Sequence, residues 1–135
     1  MRLRISTDEL TLLWHPRPML SIQCLTIDAA DPAALAGFWA NLLGATIHTE
    51  EDGDVWIELD AGGPDILFIA SSDERGGKNR LHLDLRPDDR DAEVARAVSL
   101  GARAVDIGQT GEESWVVLAD PEGNEFCILR TLPGS

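Results

Sequence analysis

Leu42-Leu43-Gly44-Ala45 returns as Ser99-Leu100-Gly101-Ala102, and Val55-Trp56-Ile57 returns as Ser114-Trp115-Val116, each tryptophan following an acidic, glycine-containing turn. The spacing, about 58 residues, is too long for most solenoid units. Two copies of a unit this size predict a pseudo-twofold domain. No segment outside the two copies is long enough to build a second core of its own.

The first copy reads as strand, helix, strand, strand, strand. Leu20 to Asp28 reads as a strand. Asp31-Pro32 is a helix start, an aspartate N-cap with proline at the first helical position. Leu35, Phe38, Trp39, Leu42 and Leu43 recur at helical spacing, and Gly44 stops the helix. Strand candidates follow at Ala45–Glu50, Val55–Asp60 and Ile66–Ala70. A polar, glycine-containing linker (71–79) leads into the second copy. There Leu81–Arg86 is a strand and Asp88–Leu100 a helix, with Val94, Ala97 and Val98 inward and Gly101 as its stop. Ala102–Ile107, Trp115–Leu118 and Glu125–Leu129 complete the order.

Each helix covers one face of its sheet, so the opposite face stays free. Pairing the copies gives a curled, half-open mixed sheet with helices outside, an α+β architecture. The domain spans residues 20–131, as modules 20–70 and 80–131. Residues 1–19 form an N-terminal extension or arm, in which Pro16 and Pro18 exclude regular structure. Met19 reads equally as a natural start.

Charge narrows the partners. Asp and Glu outnumber Lys and Arg by 24 to 11, a formal charge of −13. Such a surface repels nucleic-acid phosphates and anionic lipid. No segment approaches the roughly 18–20 apolar residues of a membrane span. Cys24 and Cys127 lie far apart without a CxxC pair and are expected as free thiols in a reducing compartment. The expected location is the cytoplasm.

Chemistry concentrates in Lys78-Asn79-Arg80-Leu81-His82-Leu83-Asp84-Leu85-Arg86. Alternation puts the leucines on one face and His82 with Asp84 on the other. An imidazole beside a carboxylate suits general acid–base work or ligand orientation. The plainer alternative is a polar face meeting water.

The duplicated modules, the first-helix run Asp31-Pro32-Ala33-Ala34-Leu35-Ala36-Gly37-Phe38-Trp39 with Leu42-Leu43-Gly44, and the turn Asp120-Pro121-Glu122-Gly123-Asn124 together resemble the vicinal oxygen chelate superfamily. That superfamily includes glyoxalase I, extradiol dioxygenases, fosfomycin-modifying enzymes and bleomycin-binding proteins. Lys78–Leu85 and Glu125-Phe126-Cys127 further resemble its glyoxalase-like domain branch. The resemblance implies four cavity positions, one on the first and one on the last strand of each module, that hold metal in the enzymes. Here they carry Cys24 (or Gln23 in the other register), Leu67 (or Phe68), His82 and Cys127. Cys127 replaces the usual glutamate, with Glu125 two residues earlier on the same face. The oxygen-rich site is therefore largely missing.

The expectation is a cavity without cofactor. The alternative is a divalent metal (zinc, iron or manganese) on Cys24, His82 and Cys127, since thiols and imidazole suit zinc. Buried free cysteine usually behaves as a small hydrophobe. Trp39 is expected in the core. Trp56 and Trp115 occupy equivalent strands and are expected as opposed aromatic walls for a flat ligand. Leu67 would lie on the same surface, with Glu58 as a cavity acid or an edge residue. Lys78 and Arg80 stand at the rim, as ligand contacts or as solvated linker charges. Two functions follow from this reading. One is a protein that binds a small apolar or aromatic molecule. The other is a His82-based or metal-dependent lyase, isomerase or dioxygenase, with Asp84 beside the histidine. The family also suggests a homodimer.

Overall fold

The structure, a computed structural model, describes residues 20–73, 76–77, 79–105 and 114–134. The expected arm at 1–19 and Lys78 lie outside the described residues. Ten elements follow the duplicated order: β1 (Cys24–Ala29), α1 (Pro32–Leu43), β2 (Ala45–Thr49), β3 (Val55–Leu59), β4 (Asp65–Ala70), β5 (Asp84–Leu85), α2 (Arg90–Leu100), β6 (Arg103–Ala104), β7 (Val116–Ala119) and β8 (Glu125–Ile128). They make two four-stranded mixed sheets, ordered β1-β4-β3-β2 and β5-β8-β7-β6. In each, the first strand runs parallel to the fourth and the remaining pairs are antiparallel. The architecture is α+β.

The helices begin and end for local reasons. Asp31 accepts a hydrogen bond from Ala34 N at 3.1 Å, and Asp89 from Ala92 N at 3.2 Å, each satisfying an orphan donor of the first turn. Gly44 (φ 67°) and Gly101 (φ 127°) end the helices in backbone conformations that a Cβ disfavours. The second helix starts two residues later than expected, at Arg90, because Asp89 supplies the cap.

One core serves both modules. Phe68, Ile57 and Ile66 from the first sheet join Leu118, Phe126 and Ile128 from the second. Between them lie Leu35, Phe38 and Trp39 of α1, all at 4% exposure or less. Phe126 packs on Trp39 with ring centroids 4.8 Å apart, and on Phe38 at 6.2 Å. Trp39 is the core residue its stripe predicts. Its indole N–H is bonded to Asp120 Oδ2 at 2.9 Å, and Asp120 is itself only 1% exposed. The other Asp120 oxygen accepts from Glu122 N and Asn124 N, so the Asp120–Asn124 turn is held from inside. Glu122 reaches the other way, its carboxylate accepting from Ala30 N at 2.7 Å and Asp31 N at 2.9 Å. The last turn of the second module thus grips the start of the first helix.

Four expectations need correction. The first strand begins at Cys24 rather than Leu20, with Leu20 88% and Ile22 71% exposed. The strand at 81–86 shrinks to Asp84–Leu85, although Leu83 O and Leu85 O still accept from Cys127 N and Leu129 N. Leu81 is 86% exposed, and the Asn79 side chain donates to Glu125 O, taking an acceptor that the ladder would otherwise use. Val98 is 47% exposed, because α2 turns only a narrow stripe inward, with Ala97 fully buried and Val94 partly. The strand after Gly101 is the short β6, and residues 106–107 lie outside the described residues.

Candidate functional site

Side chains alternate across each sheet, so the helix-facing residues identify the opposite, open face. In the first sheet Ile66, Phe68, Val55 and Ile57 face the helix. The open row therefore runs Thr26–Leu67–Trp56–His48 through residues opposed on neighbouring strands. In the second sheet Phe126, Ile128 and Leu118 face the core. Its open row runs Asp84–Cys127–Val117. Parity puts Cys24 with Thr26, Glu58 with Trp56, and His82 with Asp84. Leu67 rather than Phe68 is the open-face residue of β4, and Cys24 shares that face with it.

His82, Asp84 and Cys127 come together. His82 Nε2 lies 3.2 Å from Asp84 Oδ1, and both side chains are about half exposed, at 52% and 50%. One ligating atom from each of the three residues fits within 4.8 Å of the others. Burial pushes the Cys127 thiol up from its ordinary pKa. The Asp84 charge, a hydrogen bond to Asp84 and the Glu125 charge push it the same way. At neutral pH this sulfur keeps its proton and is a poor nucleophile. Cys24 stands apart, its Sγ 3.7 Å from Thr26 Oγ1. Both cysteines are free thiols.

These three residues border a pocket of about 410 Å³. Its apolar wall is Trp115, Val117 and Leu129; Asn79 and Glu125 add polar atoms. Every lining residue belongs to the linker or the second module. His82, Asn79 and Glu125 also border a groove of about 560 Å³ between the modules, and there Cys24 and Arg80 are found. The expected site is thus divided. His82, Asp84, Cys127 and Trp115 share the pocket, with Arg80 and Cys24 in the groove next to it.

Trp56, Leu67 and Glu58 lie on the first sheet and do not line this pocket, so the expected pair of aromatic walls is not brought together there. Trp56 has a different partner on its own sheet. His48 stacks on Trp56, centroids 4.0 Å apart and planes 15° from parallel. His48 Nε2 also meets Glu58 Oε1 at 3.1 Å, and Trp56 Nε1 donates to Glu50 Oε1 at 2.7 Å. The Asp52-Gly53 turn could have exposed this pairing, because it sets Thr49 opposite Val55 and hence His48 opposite Trp56. Asn79, Val117 and Leu129 were also missed as lining residues. Val117 and Leu129 share parity with Trp115 and Cys127, which is the signal that finds them.

The donor set does not fit an oxygen-rich four-ligand metal centre. Leu67 has no ligating atom, and the clustered donors are one imidazole, one carboxylate and one protonated thiol from a single module. Among the described residues they fit a three-donor group for a softer ion, and only after Cys127 loses its proton.

Residues 24–129 match the family model described as a glyoxalase-like domain. No curated protein matches the chain by sequence. Among solved structures, the chain is similar to a glyoxalase/bleomycin resistance protein/dioxygenase family enzyme from Burkholderia phytofirmans PsJN (23% identity, TM-score 0.64, covering 82% of this chain and 98% of that one). It is also similar to a variant of the fosfomycin resistance protein FosX from Listeria monocytogenes, complexed with Mn(II) and 1S,2S-dihydroxypropylphosphonic acid (13% identity, TM-score 0.66, 86% and 94%). A third is the oxidase ChaP-H2 (18% identity, TM-score 0.58, 87% and 98%). At these identities the likeness speaks for the fold. No helix among the described residues is long and apolar enough to cross a membrane.

Proposed function

The chain belongs to the glyoxalase-like domain family, and we propose that it binds a small, largely apolar or aromatic molecule in the second-module pocket. The observation that carries this reading is the pocket itself, an apolar wall of Trp115, Val117 and Leu129 facing the polar group of His82 and Asp84. An indole wall with a few convergent polar atoms is the usual build of a small-molecule site. Binding requires no resident metal. If a divalent ion does bind, His82, Asp84 and Cys127 are the residues to hold it, and it would supply a Lewis acid there.

Titration calorimetry with a panel of neutral aromatic compounds tests the reading. Saturable binding that weakens in Trp115→Ala supports it, and heats that never saturate overturn it. Elemental mass spectrometry of untagged protein, with His82→Ala beside it, tests the metal: metal that falls in the variant replaces the metal-free reading.

The 3.2 Å contact between His82 and Asp84 favours a second reading, proton transfer on the bound molecule. A carboxylate that orients a neutral imidazole makes it a positioned base. Turnover that disappears in His82→Ala while binding persists would make the protein a lyase or isomerase rather than a carrier. A cytoplasmic protein without nucleic-acid or membrane partners completes the proposal, in keeping with the charge of −13. A homodimer is proposed from the family alone, and sedimentation velocity decides it.

A further inference from the structure

We infer that the molecule taken by the second-module pocket is a flat aromatic cation, an aryl ring bearing a protonated amine. The inference rests on the reading of that pocket as a ligand site and names its ligand class.

Among the described residues that line the pocket, Asp84 and Glu125 carry formal charge, and no lysine or arginine joins them. Arg80 belongs to the neighbouring groove. Asp84 is half exposed, so its carboxylate is open to a ligand even while His82 contacts it. The pocket floor already senses both acids, since Asp84 and Glu125 each help to hold the proton on Cys127. Trp115, 40% exposed, forms the wall, and the face of an indole attracts a cation. A ring can therefore lie against Trp115 and Val117 with its ammonium near Asp84 and Glu125. An anion would meet two carboxylates and, among the described lining residues, no lysine or arginine. The phosphonic acid bound by the fosfomycin resistance protein is thus the wrong kind of ligand for this pocket.

Bulk charge must be separated from the pocket, because a chain of net charge −13 attracts every cation to some extent. Indole, tryptamine and indole-3-acetate share one ring and differ in charge. Calorimetry of the full chain at pH 7 and about 0.15 M salt, where the screening length is roughly 8 Å, suppresses the bulk term. Tryptamine is expected to bind about tenfold more tightly than indole, the effect of its ammonium meeting two partly exposed carboxylates. Indole-3-acetate is expected to bind weakest. The Asp84→Asn/Glu125→Gln double variant is expected to lose the tryptamine advantage and keep its affinity for indole. Glu51→Gln, in the exposed hairpin turn of the first module, is expected to keep the advantage. Thermal melts establish that each variant is folded, and Glu125→Gln alone serves if the double variant is not.

Equal affinity for tryptamine and indole would overturn the charge assignment and leave the pocket reading standing. Loss of the advantage in Glu51→Gln would also overturn it, by tracing the effect to overall charge. Failure of all three compounds to saturate would overturn the pocket reading with it.

Discussion

Counted back from the helix caps Asp31 and Asp89, Cys24 and Thr26 of the first module stand where His82 and Asp84 stand in the second. Across the sheet, Leu67 pairs with Thr26 as Cys127 pairs with Asp84. One step further, Trp56 stands where Val117 stands. On the helix side the modules agree: Ile66 and Phe68 in one and Phe126 and Ile128 in the other are all buried. On the open side they share almost nothing. The first module fills its face with the His48–Trp56 stack, whereas the second leaves a small valine and a pocket beside it. Burial constrains the helix-facing residues, because every apolar side chain there must fill shared core volume. The open face carries no such demand, so chemistry can differ between two copies of one fold.

The sharpest way to break the comparison is at the joint that lets the modules share a core. Asp120→Ala leaves the Trp39 indole N–H and two backbone N–H groups without their acceptor. It should cost about 3 kcal/mol in urea unfolding. A loss below about 1 kcal/mol would show that the joint is not where the modules are tied. Next, Trp115→Ala should weaken an aromatic probe about tenfold, while Trp56→Ala changes it less than about twofold. Equal losses would mean that both open faces serve one ligand.

A finer test compares the thiols. Asp84→Asn removes a charge that holds the Cys127 proton, so the pKa should fall toward its ordinary value and the thiolate fraction rise. Alkylation of Cys127 by iodoacetamide near pH 8 should then quicken, roughly three- to tenfold, with Cys24 as internal reference. An unchanged rate would separate Asp84 from the sulfur.

The smallest effect concerns the helices. Arg96 donates to Asn41 O and Leu42 O at the end of α1 and pairs with Glu93, whose carboxyl the Arg96 bond lowers from its ordinary 4.5. Because folding lowers this pKa, the pair stabilises fully above the unfolded value and fades as pH falls through the folded one. Both side chains are substantially exposed, so Glu93→Gln should cost at most about 1 kcal/mol at pH 7 and nothing in strong acid. An equal cost at both pH values would remove the ion pair as its cause.

Much of this was legible in the residues. Asp31, Gly44 and Gly101 marked the helix ends because caps and left-handed stops need particular side chains. Alternation put His82 and Asp84 together on one face, since a strand has only two sides, while Leu67 and Phe68 stayed alternatives until the sheet fixed the register. What could not be read was distance between modules. Nothing near Trp39 announces a carboxylate 81 residues away, and nothing near Ala30 announces Glu122. The same limit joined Trp56 to Trp115 as facing walls: equivalent strands share parity, but parity does not bring two sheets together.

The grip of Glu122 on Ala30 and Asp31 also bears on how the chain is made. The strand-to-helix corner is among the first parts of the domain to leave the ribosome, and its clasp among the last. Until residue 122 is free, the amides of Ala30 and Asp31 lack that carboxylate. Contacts of such sequence separation are slow to form. The domain should therefore close in one late step, which a staged series of arrested nascent chains would detect as protease resistance gained only after the final turn emerges.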